Sequence, residues 1–187
     1  MRSRRFWILI CLVAAAVGLS ACGKQAHPTV ADADNDGFYV DAGNVTYQLQ
    51  ISRELNQYSV EDSQYLKGLP PGTPSPTPDQ VWYGVFLWAK NQTNSPQPVA
   101  DTFDVRDTQG NVYKPLAVDP ALNPYVWRPM DLLPSGTEPA LNTTMSEGPT
   151  QGGLILFKLN NTVYANRPLT LYIHPPHGQT ASISLDL

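Results

Sequence analysis

The run Val81-Trp82-Tyr83-Gly84-Val85-Phe86-Leu87-Trp88-Ala89-Lys90-Asn91 puts apolar side chains, from Val81 through Trp88, on both faces that a strand presents. Side chains alternate between the faces of a strand. A run apolar on both sides therefore needs cover on both and belongs in the middle of a sheet. Upstream, Val45, Tyr47, Leu49 and Ile51 alternate with Thr46, Gln48, Gln50 and Ser52. That period of two predicts a neighbouring strand with one buried and one wet face. Between them, Ser59 and Asp62 precede Tyr65 and Leu66 and read as the capping signal of a short helix that ends near Gly68. Glu61 and Asp62 at its start are stabilised by the helix dipole, which accounts for the acidic pair without catalysis. Pro70 to Pro78 (PPGTPSPTP) is a proline-rich surface connection.

Downstream the strands are shorter. A turn at Asn94-Ser95-Pro96 leads into an alternating stretch from Val99 to Arg106, with Phe103 and Val105 pointing inward. Asp107-Thr108-Gln109-Gly110-Asn111 is a hairpin turn in which Gly110 supplies the positive φ, and Val112 and Tyr113 begin the return strand. Residues 117–151 carry no clear periodicity, and 123–129 (NPYVWRP) reads as a loop with its aromatic rings tucked underneath. Gly153 to Leu159, Leu169 to Ile173 and Ala181 to Leu187 are three further strands. The whole pattern predicts an all-β fold: an immunoglobulin-like β-sandwich of about seven or eight short strands with one short helix, following an N-terminal signal helix. The cysteine pair and tryptophan spacing of antibody domains are absent.

Three places carry a resemblance. Tyr83 to Asn91 is an apolar strand ending in asparagine. Phe103-Asp104-Val105-Arg106-Asp107, with Gly110 and Tyr113, forms a strand, an acidic turn and an aromatic return. Leu133-Pro134-Ser135-Gly136 precedes the Gly153…Phe157 strand. Together, over residues 38–187, these resemble the telokin-like immunoglobulin-fold domain of unknown function found in bacterial surface lipoproteins. The resemblance implies a sandwich and assigns no catalytic residue. Two departures look like insertions: the helix and proline segment 59–78, and the long spacing from Gly136 to Gly153. Insertions on a scaffold are where a separate function resides.

The N-terminus supplies an address. Arg2, Arg4 and Arg5 form a positive n-region, and residues 6–21 hold no charge. This is the layout of a secretory signal peptide, and the run is shorter than the ~20 residues of a spanning helix. Leu19-Ser20-Ala21-Cys22 is a lipobox, which predicts cleavage between Ala21 and Cys22 and a diacylglyceryl lipid on the Cys22 thiol. Two acyl chains suffice for stable attachment. Residues 1–21 are thus assigned to the signal, 22–36 to a flexible tether and 37–187 to the sandwich domain. The fourteen tether residues after Cys22, fully extended, would reach about 45–50 Å.

Without residues 1–21 the chain keeps 166 residues and a net charge of −7, from 9 basic and 16 acidic side chains. This is enough for one domain with a real core, and an acidic domain without a basic patch is not a nucleic-acid binder. Cys11 leaves with the signal and Cys22 is consumed by lipid, so the mature domain has no disulfide.

Three constellations hold residue types that carry chemistry. Asp32, Asp34 and Asp36, followed by Gly37, match the first half of a calcium loop, but position twelve would be Gly43 rather than a bidentate glutamate. A half-motif of this kind reads first as a solvated acidic tether. His174-Pro175-Pro176-His177 places two imidazoles about a rigid turn, too few ligands for a metal and the only candidate bases of a hydrolase within the domain. Tyr58, Tyr65, Tyr125 and Trp127 are candidate loop aromatics for a binding surface, or lids over a sandwich end.

The sequence thus leads to the expectation of a membrane-anchored, extracytoplasmic lipoprotein acting as a non-catalytic binding or accessory module for a cell-envelope protein partner. Its only prosthetic group would be the lipid on Cys22. The alternatives are a cell-envelope hydrolase using His174 or His177, and a calcium-binding structural lipoprotein.

Overall fold

A computed structural model of the chain describes residues 30–33 and 38–185. In chain order its strands are β1 (Asp32–Ala33), β2 (Tyr39–Ala42), β3 (Val45–Leu55), β4 (Gln80–Asn91), β5 (Gln97–Pro98) and β6 (Thr102–Arg106). Then follow β7 (Val112–Tyr113), β8 (Asp131–Leu132), β9 (Thr137–Glu138), β10 (Gly153–Asn160), β11 (Leu169–His174) and β12 (Ala181–Leu185). Seven of these exceed two residues, in line with the seven or eight strands expected. Two single-turn helices accompany them, α1 (Val60–Ser63) and α2 (Thr144–Glu147). α2 lies in the stretch where the sequence carried no readable period. Among the described residues no helix is long and apolar enough to cross a membrane. The expected signal helix, Ala21 and Cys22 lie outside the described residues.

The strands form two facing sheets and a separate two-stranded pair, β5 with β8. One runs in the order β2-β3-β4-β10, with β9 continuing the β10 edge by pairing with Ala89 and Lys90 of β4. The other runs β1-β12-β11-β6-β7. β4 beside β10 in one sheet, and β6-β11-β12 in the other, repeat the B–E and C–F–G arrangement of an immunoglobulin sandwich. β1 adds to β12 in parallel. Val40, Tyr47, Leu49, Tyr83, Val85 and Leu87 from the first sheet meet Phe103, Val105, Leu171, Ile173 and Ile183 from the second in one core.

β4 has the two covered faces that its sequence demanded. Tyr83, Val85 and Leu87 enter the central core, while Trp82 and Phe86 join a second cluster with Leu55, Tyr65, Leu154 and Leu156 on the outer side of the same sheet. That outer cluster is roofed by α1, the 3-10 turn Gln64–Leu66 and residues of the segment 116–125. The roof is knitted by Asn123 Nδ2, which donates to the carbonyls of Tyr65 and Lys67, both at 2.9 Å.

Three local expectations are corrected. Ile51 does not face the core: a register shift between Leu49 and Ile51 places it opposite Phe86, on the outer face and exposed. The bulge turns over the alternation of every later β3 residue. Ser59 makes no side-chain cap on α1. Asp62 is instead turned toward the sheet, accepting from Arg53 Nη2 at 2.7 Å and from the Asn56 backbone N–H at 2.8 Å. Finally, residues 30–33 of the expected 22–36 tether lie on the sandwich. Asp41 N–H donates to the Val30 carbonyl at 2.6 Å, Ser182 N–H to the Ala31 carbonyl at 2.8 Å and Ser182 Oγ to Asp32 at 2.6 Å.

The turn at 107–111 is as read. Gly110 has φ +82°, and Asp107 accepts from Asn111 N–H and Nδ2 at 2.9 and 2.8 Å, Tyr113 Oη at 3.0 Å and Asn166 Nδ2 at 3.1 Å.

Candidate binding groove

Below its roofed half, the outer face of the β2-β3-β4 sheet is open. Register sets Tyr39 opposite Gln48 and Gln48 opposite Trp88, so these three side chains form one row across three strands. The Tyr39 and Trp88 rings lie 6.2 Å apart at 66°. Gln50, beside the bulge, donates from Nε2 to Gln48 Oε1 at 2.8 Å, which orients both amides along the floor. Tyr39 remains 54% exposed although it sits on a strand.

The wall is the segment between β9 and β10. Pro139, Leu141, Ser146, Gln151 and Gly152 rise beside the floor and enclose a groove of about 240 Å³. α2 is built to hold this wall: Ser146 N–H donates to Thr143 Oγ1 at 3.3 Å and Thr143 N–H to Ser146 Oγ at 2.9 Å, a reciprocal cap. Gly152, at φ +105°, brings the wall onto the sheet. A Cβ there would stand 2.9 Å from the Phe86 carbonyl carbon and 3.0 Å from Leu87 N, so any side chain would push the segment away. Among the described residues the lining holds no carboxylate, amine, guanidinium or imidazole. Both long insertions read from the sequence, 59–78 and 137–152, therefore meet the outer face of one sheet. The first roofs half of it, and the second makes a groove of the rest.

A second polar constellation lies on the outer face of the opposite sheet. Asp104 of β6 is buried under Arg106 Nε at 2.8 Å, Lys114 Nζ at 3.3 Å and His174 Nε2 at 2.6 Å. Burial alone would raise the Asp104 carboxyl, but the hydrogen bonds from Arg106, His174 and Lys114 outweigh it and hold the group below the usual carboxylate range. His174 Nδ1 faces Thr180 Oγ1 at 3.3 Å, and Arg106 stacks 4.2 Å above the Tyr172 ring.

The four loop aromatics expected to form a binding surface do not do so together. Tyr65 is 1% exposed and lies between Phe86 and Tyr125 as part of the outer cluster. Trp127 is 6% exposed and packs in the central core on Tyr47 and Phe103. Tyr125 is half-buried over Tyr65, with its hydroxyl donating to Gln64 at 2.5 Å. These three act as lids, because closing a sheet end removes more apolar surface from water than leaving the rings outside. Only Tyr58 is open, at 87% exposure. It borders a wide depression of about 480 Å³ at the other end of the sheet, where the Trp82 ring is buried beneath Lys158.

Of the calcium half-motif, Asp32 is in β1 and accepts from Ser182, while Asp34 and Asp36 lie outside the described residues. Among the described residues no three histidine, cysteine or acidic side chains cluster as a metal site would require. His177 is exposed in the turn after β11.

The groove residues were missed by sequence reading. Gln48 and Gln50 do mark the wet face of β3, and Trp88 falls on the same side of β4. Only the register between the strands brings them together.

No family model matches the chain, and no curated protein matches it. Among solved structures it is similar to the yjhA protein from Bacillus subtilis, at 11% identity and a TM-score of 0.54 over 82% of this chain and 99% of that one. It is also similar to an uncharacterized β-sandwich protein from Clostridium difficile 630, with 11% identity, a TM-score of 0.44 and coverage of 88% and 99%. A conserved hypothetical protein from Bacillus anthracis matches with 11% identity, a TM-score of 0.47 and coverage of 80% and 94%. The likeness to the first is one of fold alone, and the other two add no argument to it.

Proposed function

We propose that the protein is a lipid-anchored, non-catalytic binding module of the bacterial cell envelope, held by Cys22 on the extracytoplasmic face of the membrane. The observation that carries the binding part is the groove of Tyr39, Gln48, Gln50 and Trp88. It is a small concave site with one exposed and one half-buried aromatic ring and a few convergent polar groups on a sheet, which is the form that ligand sites take. The anchor rests on the lipobox, and the telokin-like resemblance to surface lipoproteins agrees with it.

The test is a photo-crosslinker at position 39 in cells, with the intact Cys22 form compared against Cys22→Ala. A dominant adduct at position 39 that requires the anchor supports the reading. A chain that is not labelled by an alkynyl fatty acid at Cys22, or that yields no adduct in either form, removes it.

One observation favours a second reading, a hydrolase. His174 is oriented by Asp104 on one ring nitrogen and faces a hydroxyl, Thr180, on the other, the order of partners that an activated nucleophile uses. Loss of a hydrolytic activity in His174→Ala, with the fold intact, would establish it. Arg106 and Lys114 on the same carboxylate account for the cluster equally well as an ion-paired knot on the sheet surface.

A further inference from the structure

We infer that the groove binds an uncharged saccharide, one pyranose ring at a time. This rests on the binding-module reading and names its ligand class. A pyranose has an apolar face of C–H bonds and a rim of hydroxyls that both donate and accept. Its complement is a flat ring for the face and groups of mixed donor and acceptor character for the rim. Trp88 and Tyr39 supply rings, and the Gln48, Gln50 and Gln151 amides each carry both kinds of hydrogen-bonding atom. The rings stand at 66° to one another, so they do not pave a flat track for a long chain. The volume of about 240 Å³ is below the ~300–1,000 Å³ of pockets that enclose drug-sized ligands, which agrees with a ligand of that size.

Other ligand chemistries fit less well. A charged ligand would meet no opposite charge among the described residues of the lining. A peptide that adds as a strand would pair along the backbone of the β2 edge and not with the face that Gln48, Gln50 and Trp88 present. A proline-rich segment can dock on aromatic rings but offers backbone carbonyls without N–H groups, so it would engage only the N–H groups of the glutamine amides and donate nothing itself.

The test uses the full chain in amine-oxide micelles, since a glycosidic detergent would compete. Isothermal titration and saturation-transfer NMR are run with an uncharged N-acetylglucosamine tetramer and with cellotetraose. A glucosamine tetramer and a proline-rich peptide serve as comparators. The expected result is saturable binding of at least one uncharged oligosaccharide. It should weaken roughly tenfold or more in Tyr39→Ala and in Gln48→Ala, the scale of losing a central contact, and stay unchanged in Tyr58→Ala. Tyr39 is more than half exposed, so its replacement leaves the fold standing, which a melting curve verifies. No binding of either uncharged sugar, equal binding in the Tyr39 and Gln48 variants, or preference for the charged sugar or the peptide overturns the inference. If position 39 crosslinks to a protein in cells while no sugar binds, the saccharide inference falls and the binding module stands. If neither occurs, both fall.

Discussion

Tyr47 and Trp127 hold the two ends of the same residue: Ala100 N–H donates to Tyr47 Oη at 2.7 Å, and Trp127 Nε1–H donates to the Ala100 carbonyl at 2.8 Å. The two rings also meet, with centroids 6.2 Å apart. The chain at Ala100 lies between β5, which pairs with β8, and β6 of the second sheet. A buried backbone there needs partners that no ladder supplies, and two core aromatics provide them.

Tyr47→Phe and Trp127→Phe should each destabilise the domain by about 1–3 kcal/mol, the cost of orphaning one buried backbone group. Because both act on Ala100, the double variant should depart from additivity by at least about 0.5 kcal/mol. Urea unfolding of the four forms measures this. Additive losses would mean that the two contacts are independent.

Glu138 is 1% exposed and its Oε1 has no hydrogen-bond partner among the described residues. Burial pushes its carboxyl up from 4.5 to about 6, against the opposing backbone N–H and charge of Arg128. A carboxyl raised in the folded state favours the fold most below pH 4.5, and that contribution is lost as pH rises through 6. Glu138→Gln should therefore stabilise the protein by about 2 kcal/mol at pH 7.5 and change little at pH 4. Denaturation midpoints at the two pH values decide it, and an equal effect at both would be the contrary result.

Asp107 is the opposite case. Burial would raise it, but hydrogen bonds from Asn111, Asn166 and Tyr113 bring it down to about 2. Its contribution is present above pH 3.8 and is lost as pH falls through 2. Asp107→Ala should lower Tm at neutral pH by roughly 5 °C and leave the stability below pH 2 almost unaltered. Thermal melts across that range give the comparison.

Asp62 is buried, which would raise its carboxyl, yet the Arg53 guanidinium and the Asn56 N–H hold it below the ordinary value. Since Asp62, not Ser59, ties α1 to β3, Asp62→Ala should loosen the roof without unfolding the sandwich. The readout is faster amide exchange and proteolysis confined to residues 59–69. Protection unchanged there would show that the packing of Tyr65 alone keeps the roof in place.

Legibility followed sequence distance. β4 could be read because its own residues demand cover on both faces, and the 107–111 turn because aspartate and glycine specify it locally. Ile51 was misplaced because a single extra residue reverses a period of two and leaves no mark in composition. Tyr65 and Trp127 stand in the sequence as either a binding surface or lids, because nothing local says which loop folds back over a sheet. Tyr39, Gln48 and Trp88 belong to three strands, and their row exists only through register. The wall at 137–152 was noticed as an insertion, but its purpose depends on the strand it leans against.

The parallel pairing of β1 with β12 has a mechanical consequence. On the proposed attachment at Cys22, only eight residues separate the lipid from Val30, a leash of at most about 26–29 Å, where fourteen free residues would have allowed nearly twice that. On that attachment any pull between membrane and envelope would reach first the bonds of Val30 and Ala31 to Asp41 and Ser182, and then Asp32 and Ala33, which engage β12 at only two register positions, Ser182 and Ile183. That pair would slip before the long β3–β4 ladder feels the load, lengthening the leash while the sandwich and its groove stay folded.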